Sequence, residues 1–143
     1  MIVGMHPYLV LNGNGKEAVE FYEKSLDAKV LGIQTFGDLA ENPEYPMAEE
    51  VKGRVMNAHL KVGNTDLMLS DTFPGNPYQI GSQVTIALLI NQEEKTREIF
   101  RNLQEEGQVL MELQQTFWSS LYGQVKDKFG VTWQVSNQAA YEG

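Results

Sequence analysis

The sequence predicts an α+β domain of two βαβββ modules forming an open, cleft-containing mixed sheet. Three observations predict it. The order strand, helix and three strands is met twice along the chain. Short matches recur at equivalent places, Phe21-Tyr22 against Ile99-Phe100 and Asp66-Leu67-Met68-Leu69-Ser70 against Thr132-Trp133-Gln134-Val135-Ser136. The period of about 70 residues exceeds that of solenoid repeats and fits paired modules.

Residues 6–11, His-Pro-Tyr-Leu-Val-Leu, read as a strand, and the Asn-Gly-Asn-Gly run after them as a turn. Asn14 is the expected N-cap, with Glu17 three residues on. Ala18, Phe21, Tyr22 and Leu26 then recur at helical spacing, and Asp27 turns the chain into a second strand, 29–36. Residues 37–52 carry two prolines and five acidic residues and read as an excursion of loop or short helix. Strands 54–62 and 65–70 follow as a hairpin around Gly63-Asn64.

A loop, 71–81, separates this module (about 5–71) from the next (about 82–137), and the whole chain, 1–143, reads as one domain. Strand 83–90 opens the second module, Asn91 is its expected helix cap, and Thr96, Ile99, Phe100 and Leu103 make one apolar face. Gly107 is expected to end that helix in the left-handed conformation. Strands 108–113, 121–126 and 131–136 complete the order, with Asp127-Lys128-Phe129-Gly130 joining the last two.

Composition narrows the function classes. A chain of 143 residues with 42% hydrophobic and 21% charged residues is of ordinary globular make-up. It contains no cysteine, which removes thiol nucleophiles, thiolate metal sites and disulfides together. No apolar run reaches the roughly 20 residues that span a bilayer, and the start lacks a signal core, so a cytoplasmic protein without a membrane partner is expected. A net charge of -8 disfavours nucleic acid, whose phosphates are held mainly by Lys and Arg. The sequence has no Gly-rich phosphate loop and no paired-His zinc motif.

Alternation sorts each strand into two faces. Met56, Ala58, Leu60 and Val62, with Leu67 and Leu69, make the set expected beneath the helices. Val55, Asn57, His59 and Lys61 oppose them, and Asp66, Met68 and Ser70 share that second, concave face with His6, Tyr8 and Val10 and with Thr132, Gln134 and Ser136. Thr85 is the polar position that matches His6. Trp133, in phase with Val131 and Val135, is expected in the core, whereas Phe117 and Trp118 stand in a loop and Tyr122 close by, where aromatic rings can floor or roof a pocket. Asp71, Glu112 and Asp127 read as cap or turn residues rather than bases.

Several motifs carry a resemblance. Pro7-Tyr8-Leu9, Asn12-Gly13-Asn14, Val55-Met56-Asn57-Ala58, Leu67-Met68-Leu69-Ser70-Asp71, Thr116-Phe117-Trp118 and Gly123-Gln124-Val125-Lys126-Asp127-Lys128-Phe129-Gly130-Val131-Thr132-Trp133 are similar to the signatures of the PhnB-type branch of the vicinal oxygen chelate superfamily. That superfamily includes glyoxalases, bleomycin-resistance proteins and dioxygenases. The resemblance implies two metal ligands per module, one on its first strand and one on its last, at His6, Met68, Thr85 and Gln134. Only His6 is a good ligand, because a thioether is soft and hydroxyl and amide oxygens are weak neutral donors. No cofactor is therefore expected, with His6 left as the one position for a divalent metal. Relatives of this branch often carry His where this chain has Asn57.

Two functions follow from the resemblance. The first is a binding protein for a small molecule, contacted by Tyr8, Asn57, Met68, Thr85, Trp118, Tyr122 and Gln134. The second is a metal-assisted or His-dependent lyase, epimerase or dioxygenase on a small oxygenated substrate, with His6 or His59 as general base. Relatives commonly pair modules across a dimer, so a homodimer is expected.

Overall fold

The computed structural model describes residues 1–40, 43, 44 and 46–138. Residues 41, 42 and 45 of the expected excursion lie outside the described residues. Two units are distinguished, Met1–Tyr78 and the chain from Gln79 onward, each with a four-stranded mixed sheet.

In the first unit the elements are β1 (Tyr8–Leu11), α1 (Gly15–Ser25), β2 (Lys29–Thr35), a 3-10 turn (Phe36–Asp38), the short α2 (Glu49–Lys52), β3 (Val55–Val62) and β4 (Thr65–Asp71). The sheet order is β1-β4-β3-β2, with β1 parallel to β4 and the other pairs antiparallel. Ala58, Leu60, Leu67 and Leu69 alternate with Asn57, His59, Lys61, Asp66, Met68 and Ser70, so all four fall on the face that α1 covers with Ala18, Val19 and Tyr22. Each buried leucine contributes about 1.5–3 kcal/mol by leaving water.

The second unit repeats this plan with β5 (Ile86–Ile90), α3 (Glu93–Leu103), β6 (Gln108–Gln114), β7 (Tyr122–Lys126) and β8 (Thr132–Asn137), in sheet order β5-β8-β7-β6. Thr96, Ile99, Phe100 and Leu103 of α3 are buried with Val125, Trp133 and Val135 of β7 and β8. The register repeats as well. Tyr8 stands opposite Met68 as Ala87 stands opposite Gln134, and Leu11 opposite Asp71 as Ile90 opposite Asn137. Among the described residues no helix is long and apolar enough to cross a membrane.

Five local expectations need correction. Regular pairing starts later than the apolar runs, so His6 and Thr85 lie just ahead of β1 and β5 rather than inside them. Asn14 occupies the N-cap of α1 without a side-chain cap bond. The orphan amides there are met by Asp71, which accepts from Gly13 N at 2.7 Å and Gly15 N at 3.0 Å, and also from Val55 N at 2.8 Å. The N-cap of α3 is Gln92 rather than Asn91. The left-handed residue after α3 is Glu106 (φ 58), while Gly107 is needed because a side chain there would strike the carbonyl of Lys126. Finally, the β2–β3 register steps from Gln34–Asn57 to Thr35–Val55, so β3 carries an extra residue at Met56. That bulge turns Val55 to the helix face, where it is fully buried beside Gly15.

Candidate functional site

Each sheet has one face packed on its helix and one facing away, and the predicted site residues gather on the second kind in two groups. In the first unit β3 and β4 are antiparallel with His59 opposite Met68 and Lys61 opposite Asp66. Asp66 is the centre of this group. Lys61 Nζ donates to its Oδ1 at 3.0 Å, His59 Nε2 lies 3.4 Å from the same oxygen, and His6 Nε2 lies 3.7 Å from Oδ2. The hydrogen bond from Lys61 holds the Asp66 carboxyl below the ordinary aspartate value, against an opposing effect of burial and with His59 adding to the lowering. His59 Nε2 is itself buried and makes no hydrogen bond, so its approach to Asp66 becomes an ion pair when the ring is protonated.

The two histidines predicted as bases are thus brought together, through an aspartate that sequence reasoning did not select. Its signal was present. Asp66, His59 and His6 were sorted to one face by alternation, but only the register shows that two strands and the segment before a third aim them at one point. Tyr8 pairs with Met68 on the same sheet and is half-exposed, and Asn57 is exposed with no side-chain partner among the described residues. Among the described residues no group of three or more His, Cys, Asp or Glu side chains is placed to hold a metal ion.

The second unit holds an uncharged relay. Gln124 Nε2 donates to Tyr122 Oη at 2.9 Å, Tyr122 Oη donates to Gln134 Oε1 at 2.7 Å, and Gln134 Nε2 donates to Thr85 Oγ1 at 2.9 Å. Alternation along β7 and β8 puts these side chains on one face, while Val125, Trp133 and Val135 are buried on the other. Trp118 packs edge-on against Tyr122 at 5.2 Å, and Phe117 against Trp118 at 4.7 Å. Both outer rings are open to water, with Trp118 51% and Phe117 97% exposed. Their loop is nevertheless fixed, because the buried Ser119 Oγ accepts from Leu121 N at 3.2 Å and has the carbonyl oxygens of Leu121 and Asn137 at 2.7 and 2.8 Å to share its one hydrogen. Four predicted site residues, Thr85, Trp118, Tyr122 and Gln134, therefore form one connected group. Gln124 and Ser119 were missed, since a relay member and a loop anchor have no sequence pattern of their own.

Comparison with known proteins agrees with this architecture. The family model described as Glyoxalase/Bleomycin resistance protein/Dioxygenase superfamily matches residues 4–135. The chain is 30% identical over 138 residues to Protein YjdN of Escherichia coli (strain K12), covering 92% of this chain and 93% of that protein. Among solved structures it is similar to protein PA1353 from Pseudomonas aeruginosa, with 34% identity, a TM-score of 0.84 and coverage of 96% of this chain and 98% of that one. It also shares its fold with the PhnB protein from Bacillus cereus, at 21% identity and a TM-score of 0.76 over 94% of this chain and 98% of that one.

Proposed function

The chain belongs to the glyoxalase/bleomycin resistance protein/dioxygenase superfamily, and from that membership we propose that it is a small-molecule binding protein that works without the superfamily's usual metal. One observation carries this reading, the hydrogen-bonded relay from Gln124 to Thr85 under an exposed aromatic pair. A connected row of hydroxyl and amide groups beside flat rings suits recognition of a small organic molecule, which needs apolar area and a few oriented polar contacts.

The donor chemistry also argues against the metal. At the four ligand positions the chain has His6, Met68, Thr85 and Gln134, of which only the first is a strong donor for a divalent ion. In the second unit the two oxygens are already engaged, Gln134 Oε1 by Tyr122 and Thr85 Oγ1 by Gln134 Nε2. These residues do not fit the superfamily's metal.

The test is a thermal-shift screen of metabolites followed by binding of the hits to wild type and Trp118→Ala. A true ligand should change Trp fluorescence, and the substitution should weaken it by about 1–3 kcal/mol, the scale of an aromatic anchor. Unchanged affinity in Trp118→Ala would remove the aromatic pair from the site.

A second reading is favoured by the convergence of His6 and His59 on Asp66, which suits proton transfer in a lyase, epimerase or dioxygenase. Metal analysis separates the two. Protein purified without chelator should carry well under one ion per chain; stoichiometric metal that survives dialysis and is lost in His6→Ala would favour the enzyme.

A further inference from the structure

The repeated register exposes one unequal pair. Lys61 stands opposite Asp66 in the first unit, and Lys126 stands opposite Thr132 in the second. Lys61 is hydrogen-bonded to its aspartate at 3.0 Å, whereas Thr132 offers Lys126 no charge. Among the described residues no carboxylate lies within ion-pair distance of Lys126. Lys126 as a whole residue is half-buried, and β7 presents it on the face of Tyr122 and Gln124, because Gly123 and Val125 turn toward the buried side. A cation with no counter-charge beside it gains from an anion that pairs with it.

We infer that the second unit's face binds a planar carboxylate, whose negative charge pairs with Lys126 and whose body lies along Gln124 and Tyr122 toward Trp118. The inference rests on the binding face proposed above and adds the ligand's chemical class. The relay itself is uncharged, so it neither repels an anion nor replaces Lys126 as its counter-ion. One ammonium balances one negative charge. A carboxylate monoanion is therefore matched, and a phosphate dianion leaves a charge unpaired. Tyr122 and Lys126 are separated along the strand by about 13 Å, and the lysine side chain reaches back over part of that distance, which leaves room for a ring with a short planar arm.

The experiment is calorimetric titration of the full chain with trans-cinnamate, its neutral isostere cinnamamide, and cinnamylamine. Cinnamate should bind about tenfold more tightly than the amide, and the amine more weakly still, a discrimination on the scale of one partly exposed charge pair. Lys126→Gln should erase that preference. Thr132→Asp, which rebuilds in the second unit the pair that Lys61 makes with Asp66, should erase it independently; circular dichroism checks that both variants fold. Cinnamamide binding as tightly as cinnamate, a preference that survives both substitutions, or no heat with cinnamate would each overturn the inference. The two levels stay distinct. If the acid and the amide bind equally and both are lost in Trp118→Ala, the charge assignment fails and the binding face stands; if Trp118→Ala changes neither, the binding face itself fails.

Discussion

The second unit has two tryptophans in opposite surroundings, and substitution should separate them. Trp133 is 1% exposed, and its Nε1 donates to Asp127 Oδ2 at 2.8 Å, while the same carboxylate accepts from Phe129 N and Val131 N. Trp133→Ala should therefore lose about 3–5 kcal/mol in denaturant unfolding, by opening a cavity and removing a donor from a buried carboxylate. Trp118→Ala should unfold close to wild type, since half of that ring already faces water. A second residue-scale outcome follows from Asp66, whose carboxyl is lowered first by the Lys61 hydrogen bond. A carboxylate with a lowered folded value contributes stability above its unfolded value and loses it as pH falls through the folded one. The stability gap between wild type and Asp66→Asn should be present at neutral pH and close on acidification below the ordinary aspartate range; a gap that persists in strong acid would mean that charge is not its cause. Alternation made Trp133 legible as core, because Val131 and Val135 share its phase. It placed Asp66 on the face of His59 and His6 without bringing the three together, because a period of two assigns a face but not the neighbours across it.

At the scale of elements, the order strand, helix and three strands was legible twice, since long apolar periodicity survives small errors of phase. The helix starts were legible in part, since Asn14 is the N-cap of α1 but makes no side-chain cap bond, and the N-cap of α3 is Gln92 rather than Asn91. Asn14 and Asn91 carry the local signature of a cap, yet the amides before α1 are held by Asp71, 56 residues from Gly15. A cap supplied by a strand end is invisible to local pattern, and it ties α1, β3 and β4 together at one buried carboxylate. In the second unit the equivalent residue is Asn137, which instead donates to Ser120 Oγ at 2.6 Å. Asp71→Ala should cost about 2–4 kcal/mol because it strands buried N–H groups, and native-state hydrogen exchange should show Gly15 and Val55 opening together. Protection lost across the second unit alone would contradict this assignment.

For the molecule as a whole, the outer strands decide what else must be present. The sheet orders leave β2 and β6 at equivalent edges, and both show apolar side chains to water: Leu31 and Ile33 on β2, Leu110 and Met111 on β6. An edge strand offers unpaired N–H and C=O groups for pairing with another chain, and proteins that remain monomeric usually protect it with charge, proline or cover. Here proline is absent from both strands, and charge is limited to Lys29 on one and Glu112 on the other. A homodimer with two-fold symmetry, whose contact includes at least one of these edges, is therefore expected. Sedimentation velocity at micromolar concentration should report twice the 16.1 kDa chain mass. Of Ile33→Lys and Leu110→Lys, the one placed in the contact should shift the equilibrium toward monomer, because a lysine buried there leaves its ammonium unpaired. A chain that sediments as a monomer throughout that range would show that these edges are tolerated exposed, and a dimer unaffected by either lysine would place the contact elsewhere on the molecule.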